Sequence, residues 1–557
     1  MALSSAKVAL GPEAEDERCG GLSWSSEPRW VERATWAFVG LGLLVRLAKY
    51  LMNYPLWWDE AFVAVNFIHR GYRELLGPLD CGQICPPLFL VIELTIVRAL
   101  GFSELTLRLF PLLCALTSVV LFRYAAGLLL RGVPRWLAVA IFAVSFHPIR
   151  HAAEVKPYAS DLLVALGLLT LAFWWLREPA RALPLWALAG AVPVALGLSY
   201  PAVFVAGGIG LGLAPKVWRM GRRDLWLAFS AIGLALVSTF GGLIVTFARS
   251  QSSTFLAGLQ SYWASSFPPL DSAWTFGKWL IATHTGTMFA YPGGGQRGGS
   301  AATLALVVLA AIALWRRDRR TILAICLAPF ALTLAAATWR RYPYGGEARI
   351  VQHLAPSICL LSGLGAALVL ARMPQEALRQ RALIVFAAVL AGIGLGPLGL
   401  DLYRPYRFYY AHRAREFARR FWPEQARKAE LACLRWDYGI IERGKLCVNT
   451  PVFLCNQMIY SPPRYANRGP RRPEPTSSRP LHCILYDETS PDHPDVVAWL
   501  KQMTSRYDLK DRTTLLVNMA RPDQRPRWER VTIFAFELRR GRSNTRVATP
   551  AGRALAR

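Results

Sequence analysis

A series of long apolar stretches separated by short basic runs constrains this chain more than any other feature. Eleven such stretches lie near residues 34–52, 107–130, 134–149, 158–176, 183–198, 201–217, 225–247, 301–315, 321–338, 350–371 and 382–400. A bilayer core about 30 Å thick takes about 20 helical residues, and most of the stretches approach that length. In hydrocarbon, backbone N–H and C=O groups must be satisfied within the segment, so these stretches are expected to be helices. The 557 residues are 54% hydrophobic and only 18% charged. The expected fold is therefore an all-α polytopic membrane protein of about 11 transmembrane helices, not a string of soluble domains.

Charge sets the expected topology. The net charge is +28, and much of it sits in runs such as Arg316, Arg317, Arg319 and Arg320, or Arg372, Arg379 and Arg381. The basic loops at 131–135, 177–182, 216–224, 316–320 and 372–381 fall on one side if 87–100 does not cross, and the positive-inside rule makes that side cytoplasmic. The charge thus points to topology and anionic lipid rather than to nucleic acid. Residues 87–100 open with Pro86-Pro87, are short, and carry Glu93 and Arg98. They are read as a helix lying in the interface within the first outer loop. The polar first residues lack a signal-peptide pattern. The expected organisation is a cytoplasmic tail (1–33), a transmembrane domain (34–400) and an extracytoplasmic C-terminal domain (401–557).

The last part of the chain has no spanning stretch. His482–Tyr486, Thr514–Asn518 and Val531–Leu538 read as strands. Pro494–Tyr507 reads as an amphipathic helix with Val496, Val497, Leu500 and Met503 on one face. A small α/β domain is expected, with an exposed loop over Pro462–Pro480. Cys114, Cys326 and Cys359 fall in apolar stretches, whereas Cys81, Cys85, Cys433, Cys447, Cys455 and Cys483 fall on the outer side. A Cys81–Cys85 bridge and two bridges in the tail fit that compartment. Zinc is the competing reading for the tail, although paired Cys-x-x-Cys spacing is missing.

Chemistry concentrates at outer span ends. Trp57-Trp58-Asp59-Glu60 follows the first span. Tryptophans favour the interface, and Asp59 is also a natural cap for an amphipathic helix. Arg108 opens the span 107–130. His151, Lys156, Tyr158 and Asp161 follow the next outer hairpin, and Arg340, Arg341, Tyr344, Glu347 and Arg349 lie in Trp339–Ile350. Each long cationic side chain can snorkel, yet ionisable groups beside hydrocarbon are a default functional hypothesis. An acid beside cations at a lipid surface suits sugar transfer from a lipid phosphate. The cations hold the phosphate, and an acid takes the acceptor's proton. Asp59, Glu60 and His151 are also conceivable ligands for Mg or Mn. A transporter or flippase is the main alternative. Against it, the charges gather at span ends rather than at broken helices in the midplane. A different lipid-phosphate enzyme and a noncatalytic scaffold are further alternatives.

The order and spacing of Trp58-Asp59-Glu60-Ala61, Cys85-Pro86-Pro87-Leu88 and Leu105-Thr106-Leu107-Arg108-Leu109-Phe110-Pro111 resemble the GT-C membrane glycosyltransferases. The group holding protein O-mannosyltransferases and aminoarabinose transferases is closest. The resemblance covers about 50–400 and is strongest over 50–176. It implies a polyprenyl-phosphate sugar as donor, an acceptor that is protein, lipid or glycan, and inversion at the anomeric centre. It implies an integral membrane enzyme of, by composition, a bacterial inner membrane. Asp59 matches the catalytic base and Glu60 completes the acidic pair. Lys156, Arg349 and Arg108 are the implied phosphate-binding residues, and Tyr158, His151 and Tyr344 are substrate-binding candidates. Cys85 departs from the His or Lys common before Pro-Pro, so a contact made there is either absent or supplied by another residue.

Overall fold

The computed structural model describes residues 29–248, 260–433, 450–461, 473–486 and 492–539. The chain divides into two compact units. One holds Asp59–Tyr406 with the chain up to Tyr54, and the other holds Pro55–Trp58 with the chain from Arg407 onward.

In the first unit the eleven apolar stretches are helical, all but a few residues at breaks and ends. Among the described residues, seven helices are long and apolar enough to cross a membrane, one being α1 (Arg29–Leu51). The segment after α1 holds α2 (Trp58–Ala64) and α3 (Pro87–Leu100), and α4 (Leu109–Leu129) follows. The stretch expected at 134–149 is two pieces, α5 (Gly132–Ala143) and α6 (Phe146–His151). Twelve residues rise only about 18 Å, so α5 alone falls short of the hydrocarbon thickness. Buried Arg46 of α1 makes the break tolerable. It donates to the α5 carbonyl of Ala143 at 2.7 Å and to Gly42 at 2.9 Å, so a carbonyl at the open helix end keeps a partner. Ser145 Oγ donates to the Ile141 carbonyl at 2.6 Å.

Beyond the break come α7 (Tyr158–Arg177), α8 (Leu183–Leu198) and the remaining apolar helices to α9 (Ala355–Ala371) and α10 (Glu376–Tyr403). Helix α9 is the buried centre of the unit. A Cβ on Gly363 would lie 2.4 Å from Ala138 Cα, and one on Gly365 would lie 2.1 Å from the Leu306 carbonyl. Only glycine admits backbones this close, the usual device where lipid supplies no hydrophobic drive between helices. This packing fixes the short 3₁₀ segment Ala348–Leu354 that leads into α9.

Helix α3 is 14 residues long, too short to cross at about 1.5 Å per residue. Its polar residues do not behave as the sequence reading supposed. Arg98 lies over the Tyr72 ring at 4.5 Å. Glu93 is fully buried with no hydrogen-bond partner, and burial pushes its carboxyl well above the ordinary range. The opposite end of α3 packs Leu88 against Gly197 of α8.

The second unit carries a four-stranded sheet of order β1-β2-β4-β3, with β1 (Glu430–Cys433), β2 (Leu481–Tyr486), β3 (Tyr507–Asn518) and β4 (Trp528–Leu538). β1 and β2 are parallel, and the other pairs are antiparallel. Helix α11 (Pro494–Arg506) packs Val496, Trp499 and Met503 against Leu481, Cys483, Phe534 and Phe536. Val497, expected on that face, is exposed. Trp499 takes its place because 496, 499 and 503 follow the helical period. Strand β3 starts seven residues earlier than expected. Its added residues are mostly polar, Tyr507 and Leu509 excepted, because the strand is at the edge and largely exposed. Trp57 and Trp58 belong to this unit. Arg407 lies 3.6 Å over the Trp57 ring, Trp58 stacks on Tyr410 at 5.2 Å, and the Trp58 N–H donates to the Tyr410 hydroxyl. The two tryptophans thus pack within the protein rather than serving only as interface anchors.

Cys85 is a buried thiol, so the expected Cys81–Cys85 bridge is not formed. Among the described residues no disulfide links Cys433, Cys455 and Cys483, and Cys447 lies outside them. Residues 462–472 of the expected exposed loop also lie outside them.

Candidate active site

Asp59 and Glu60 occupy the first turn of α2. Consecutive helical residues point about 100° apart, and the two carboxylates face different partners. Glu60 turns inward. It accepts from Arg108 Nε at 2.8 Å, from Arg108 Nη2 at 2.6 Å and from the Val155 N–H at 3.1 Å. Arg108 also donates Nη1 to the Tyr54 carbonyl at 2.6 Å, and Glu60 and Arg108 are each 1% exposed. This is a bidentate, desolvated pair whose lone pairs and protons are largely used. The described hydrogen bonds of Arg108 thus run to Glu60 and Tyr54.

Asp59 draws cations from two distant segments. Lys156 Nζ lies 2.8 Å from Oδ1, and Arg349 Nη1 lies 2.8 Å from Oδ2. Lys156 arrives just before α7 and also donates to Gln83 Oε1 at 2.6 Å. Arg349 arrives on the 3₁₀ segment before α9. It also meets Glu347 at 2.5 Å and the Tyr262 hydroxyl at 3.2 Å, and lies 5.3 Å over the Trp263 ring. Burial works to raise the Asp59 carboxyl. The charges of Lys156 and Arg349 outweigh it and hold the group below its ordinary range, with a smaller contribution from His151.

The loop between α6 and α7 forms the next layer. His151 Nδ1 lies 2.7 Å from Glu154 Oε2, and Arg150 Nε lies 3.4 Å from Glu154 Oε1. The His151 ring meets Tyr158 edge-on at 4.9 Å. Tyr344 lies elsewhere. Its hydroxyl pairs with His284 Nε2 at 3.0 Å, and its backbone N–H donates to Ser266. The metal set Asp59, Glu60 and His151 is not assembled, since each of the three faces a partner of its own. Among the described residues, no three His, Cys, Asp or Glu side chains are placed to share a metal ion.

Neither a protein-family model nor a curated protein matches the sequence. The folded chain does match solved structures. ArnT from Cupriavidus metallidurans bound to undecaprenyl phosphate aligns with a TM-score of 0.50 at 12% identity, over 91% of this chain and 98% of that one. ArnT in the apo state aligns with a TM-score of 0.51 at 13% identity, over 89% and 97% of the two chains. This chain has the GT-C fold. Within the GT-C fold, the Asp59 cluster joins the segment after α1 to the entries of α7 and α9. Gln83, Glu154, Tyr262 and Trp263 belong to the cluster and were not singled out in the sequence, whereas Glu347 was. Glu154 stood inside the His147–Tyr158 run and Gln83 just ahead of Cys85-Pro86-Pro87. Tyr262 and Trp263 carried no local signal.

Proposed function

We propose that this chain is a membrane glycosyltransferase. It moves a sugar, hexose or pentose, from a polyprenyl-phosphate donor to a protein, lipid or glycan acceptor, with inversion, on the extracytoplasmic side. The N-terminus is then cytoplasmic and the C-terminal domain extracytoplasmic, in a bacterial inner membrane. The observation that carries the proposal is the Asp59 carboxylate held between Lys156 and Arg349. The GT-C fold supports it, since a structure of that fold binds undecaprenyl phosphate.

The roles follow from charge. Lys156 and Arg349 bind the donor phosphate, and in doing so they exchange one anion for another and release Asp59. The freed carboxylate accepts the proton of the acceptor's hydroxyl or amine as that atom bonds to the sugar's anomeric carbon. The C–O bond to phosphate breaks on the opposite face, and its electron pair stays on the phosphate. The cations stabilise that developing charge in a partly dry site. Cys85 contributes no charge here. Lys156, tied to the same loop through Gln83, supplies the cation instead.

The test is mass spectrometry of polyprenyl-phosphate sugars in membranes containing wild type or Asp59→Asn at matched levels. Depletion of one species by wild type alone is expected and identifies the sugar. Equal pools, with both proteins folded and donors present, refute the proposal.

A further inference from the structure

The two ring nitrogens of His151 have different fates. Nδ1 is bonded to Glu154. Nε2 is buried and has no hydrogen-bond partner in the protein. An ionised carboxylate only accepts, so Nδ1 is assigned the proton in that bond. Buried polar atoms with no partner are rare in native proteins, and each calls for a water or a ligand.

The ring is held in place on several sides. Glu154, which fixes Nδ1, is itself engaged by Arg150 on its other oxygen. Tyr158 meets the ring edge-on and His147 stacks 6.2 Å away. The same short loop delivers the Val155 N–H to Glu60 and Lys156 to Asp59. His151 lies near enough to Asp59 to act on it electrostatically. A rigid, unsatisfied nitrogen therefore stands beside the cluster that meets the donor phosphate.

We propose that His151 Nε2 is the hydrogen-bond and proton donor to the phosphate oxygen left behind when the sugar departs. This rests on the reading of the chain as a glycosyltransferase with a lipid-phosphate donor. In the donor complex an acceptor lies on each side of the ring, Glu154 at Nδ1 and phosphate at Nε2, so both nitrogens have an oxygen to donate to. As the acceptor atom bonds to the anomeric carbon, its proton goes to Asp59. The C–O bond breaks, its electrons remain on the phosphate oxygen, and that oxygen takes the proton of His151 Nε2. The Nδ1 proton stays on the ring, donated to the Glu154 carboxylate. The proton on Asp59 later restores the ring, so the net transfer is from acceptor to phosphate.

The chemistry recognised is a phosphate monoester, and the test separates its sources. Full-length protein in phosphatidylcholine nanodiscs is titrated with undecaprenyl phosphate and with its methyl diester, in wild type, His151→Gln, Glu154→Gln and Lys156→Ala. The monoester has the oxygen that the proposal assigns to His151, and the diester has it blocked. His151→Gln is expected to weaken monoester binding about tenfold, the scale of one charge-assisted hydrogen bond, and diester binding less than twofold. Lys156→Ala is expected to weaken both. Thermal unfolding verifies that each variant is folded. If His151→Gln is not, Glu154→Gln, which keeps the ring and removes its counter-charge, is expected to show the same selective loss. Equal monoester affinity in wild type and the folded variants overturns the inference. Failure of wild type to bind either lipid overturns the donor reading itself. Displacement of the lipid from wild type by inorganic phosphate at comparable concentration reassigns the site to free phosphate and overturns the lipid source.

Discussion

Replacing Glu60 by glutamine is expected to destabilise the membrane unit heavily, although Glu60 stands next to the proposed base. Glu60 accepts three hydrogen bonds at 2.8, 2.6 and 3.1 Å, two of them from a guanidinium as buried as itself. The variant keeps the volume but leaves the Arg108 charge desolvated and without its counter-ion. Breaking a buried pair from one side costs about 3–5 kcal/mol. At about 2 °C per kcal/mol for a large domain, melting falls by roughly 6–10 °C. Removing both charges has the opposite logic, since apolar replacements of similar volume are often neutral. The double variant Glu60→Leu with Arg108→Met is therefore expected to melt closer to wild type than either single change. Fluorescence-detected unfolding of the full-length protein in detergent measures all four members of the cycle. Wild-type melting in Glu60→Gln with transfer abolished would refute the reasoning and place Glu60 in the chemistry. A double variant no better than the singles would show that the bonds to Val155 and Tyr54, not the charge pair, hold the region.

Asp59→Asn is expected to remain folded in the membrane and to lower transfer by about a hundredfold or more, the scale of a general base; robust transfer in that variant refutes the assignment. Lys156→Ala and Arg349→Ala are each expected to raise the donor concentration for half-saturation by about tenfold, and unchanged donor saturation would show that both cations serve only Asp59. Burial pushes the Cys85 thiol up to about 12, and the thiolate is the reactive form. A membrane-permeant maleimide near pH 8 should therefore leave Cys85 unmodified until the protein is denatured, as read by peptide mass spectrometry. Leu516→Cys, at an exposed position of β3, should take an impermeant label from the extracytoplasmic side of intact cells; labelling only after the membrane is broken reverses the proposed orientation.

Helix positions were legible because hydrocarbon tolerates so little else, so hydropathy marked where the apolar helices of the described residues lie. The break between α5 and α6 was not, because the residue that permits it, Arg46, lies about 100 positions away and looks like an ordinary charge near a span end. Glu93 misled in the same manner. A carboxylate in a short apolar helix reads as a solvated face, whereas tertiary packing encloses it. In the second unit the buried strands β2 and β4 showed in their hydrophobic runs. The short β1 and the polar start of β3 did not, since an edge strand need not be apolar. In the site, Asp59, Lys156 and Arg349 were each visible as ionisable groups at an outer span end. Their meeting was not visible, because 97 and 290 residues separate Asp59 from its partners. The division of labour between Asp59 and Glu60 was equally hidden. Sequence treats neighbours as a pair, and helical geometry points them apart.

That division bears on how the proposed reaction is controlled. Two adjacent carboxylates near a membrane would repel each other and any phosphate. Here each has its own cation, and the two pairs differ in how they can be opened. The Glu60–Arg108 pair is buried and further bonded to Tyr54 and Val155, so opening it would expose a desolvated charge. The Asp59 pairs are less buried, and Lys156 and Arg349 each hold further polar partners that keep them in place if Asp59 lets go. A phosphate carries more charge than a carboxylate, so it competes well for cations already held in position by Gln83 and Glu347. On the proposed function, the base is masked until the donor arrives, and the same two side chains that mask it are those the donor needs. Without donor, Asp59 is held ionised but capped, which disfavours proton abstraction from acceptors or water. The masking also explains why two such cations are set on rigid entries to buried helices: a base uncovered by its own substrate needs its cover fixed to within an ångström.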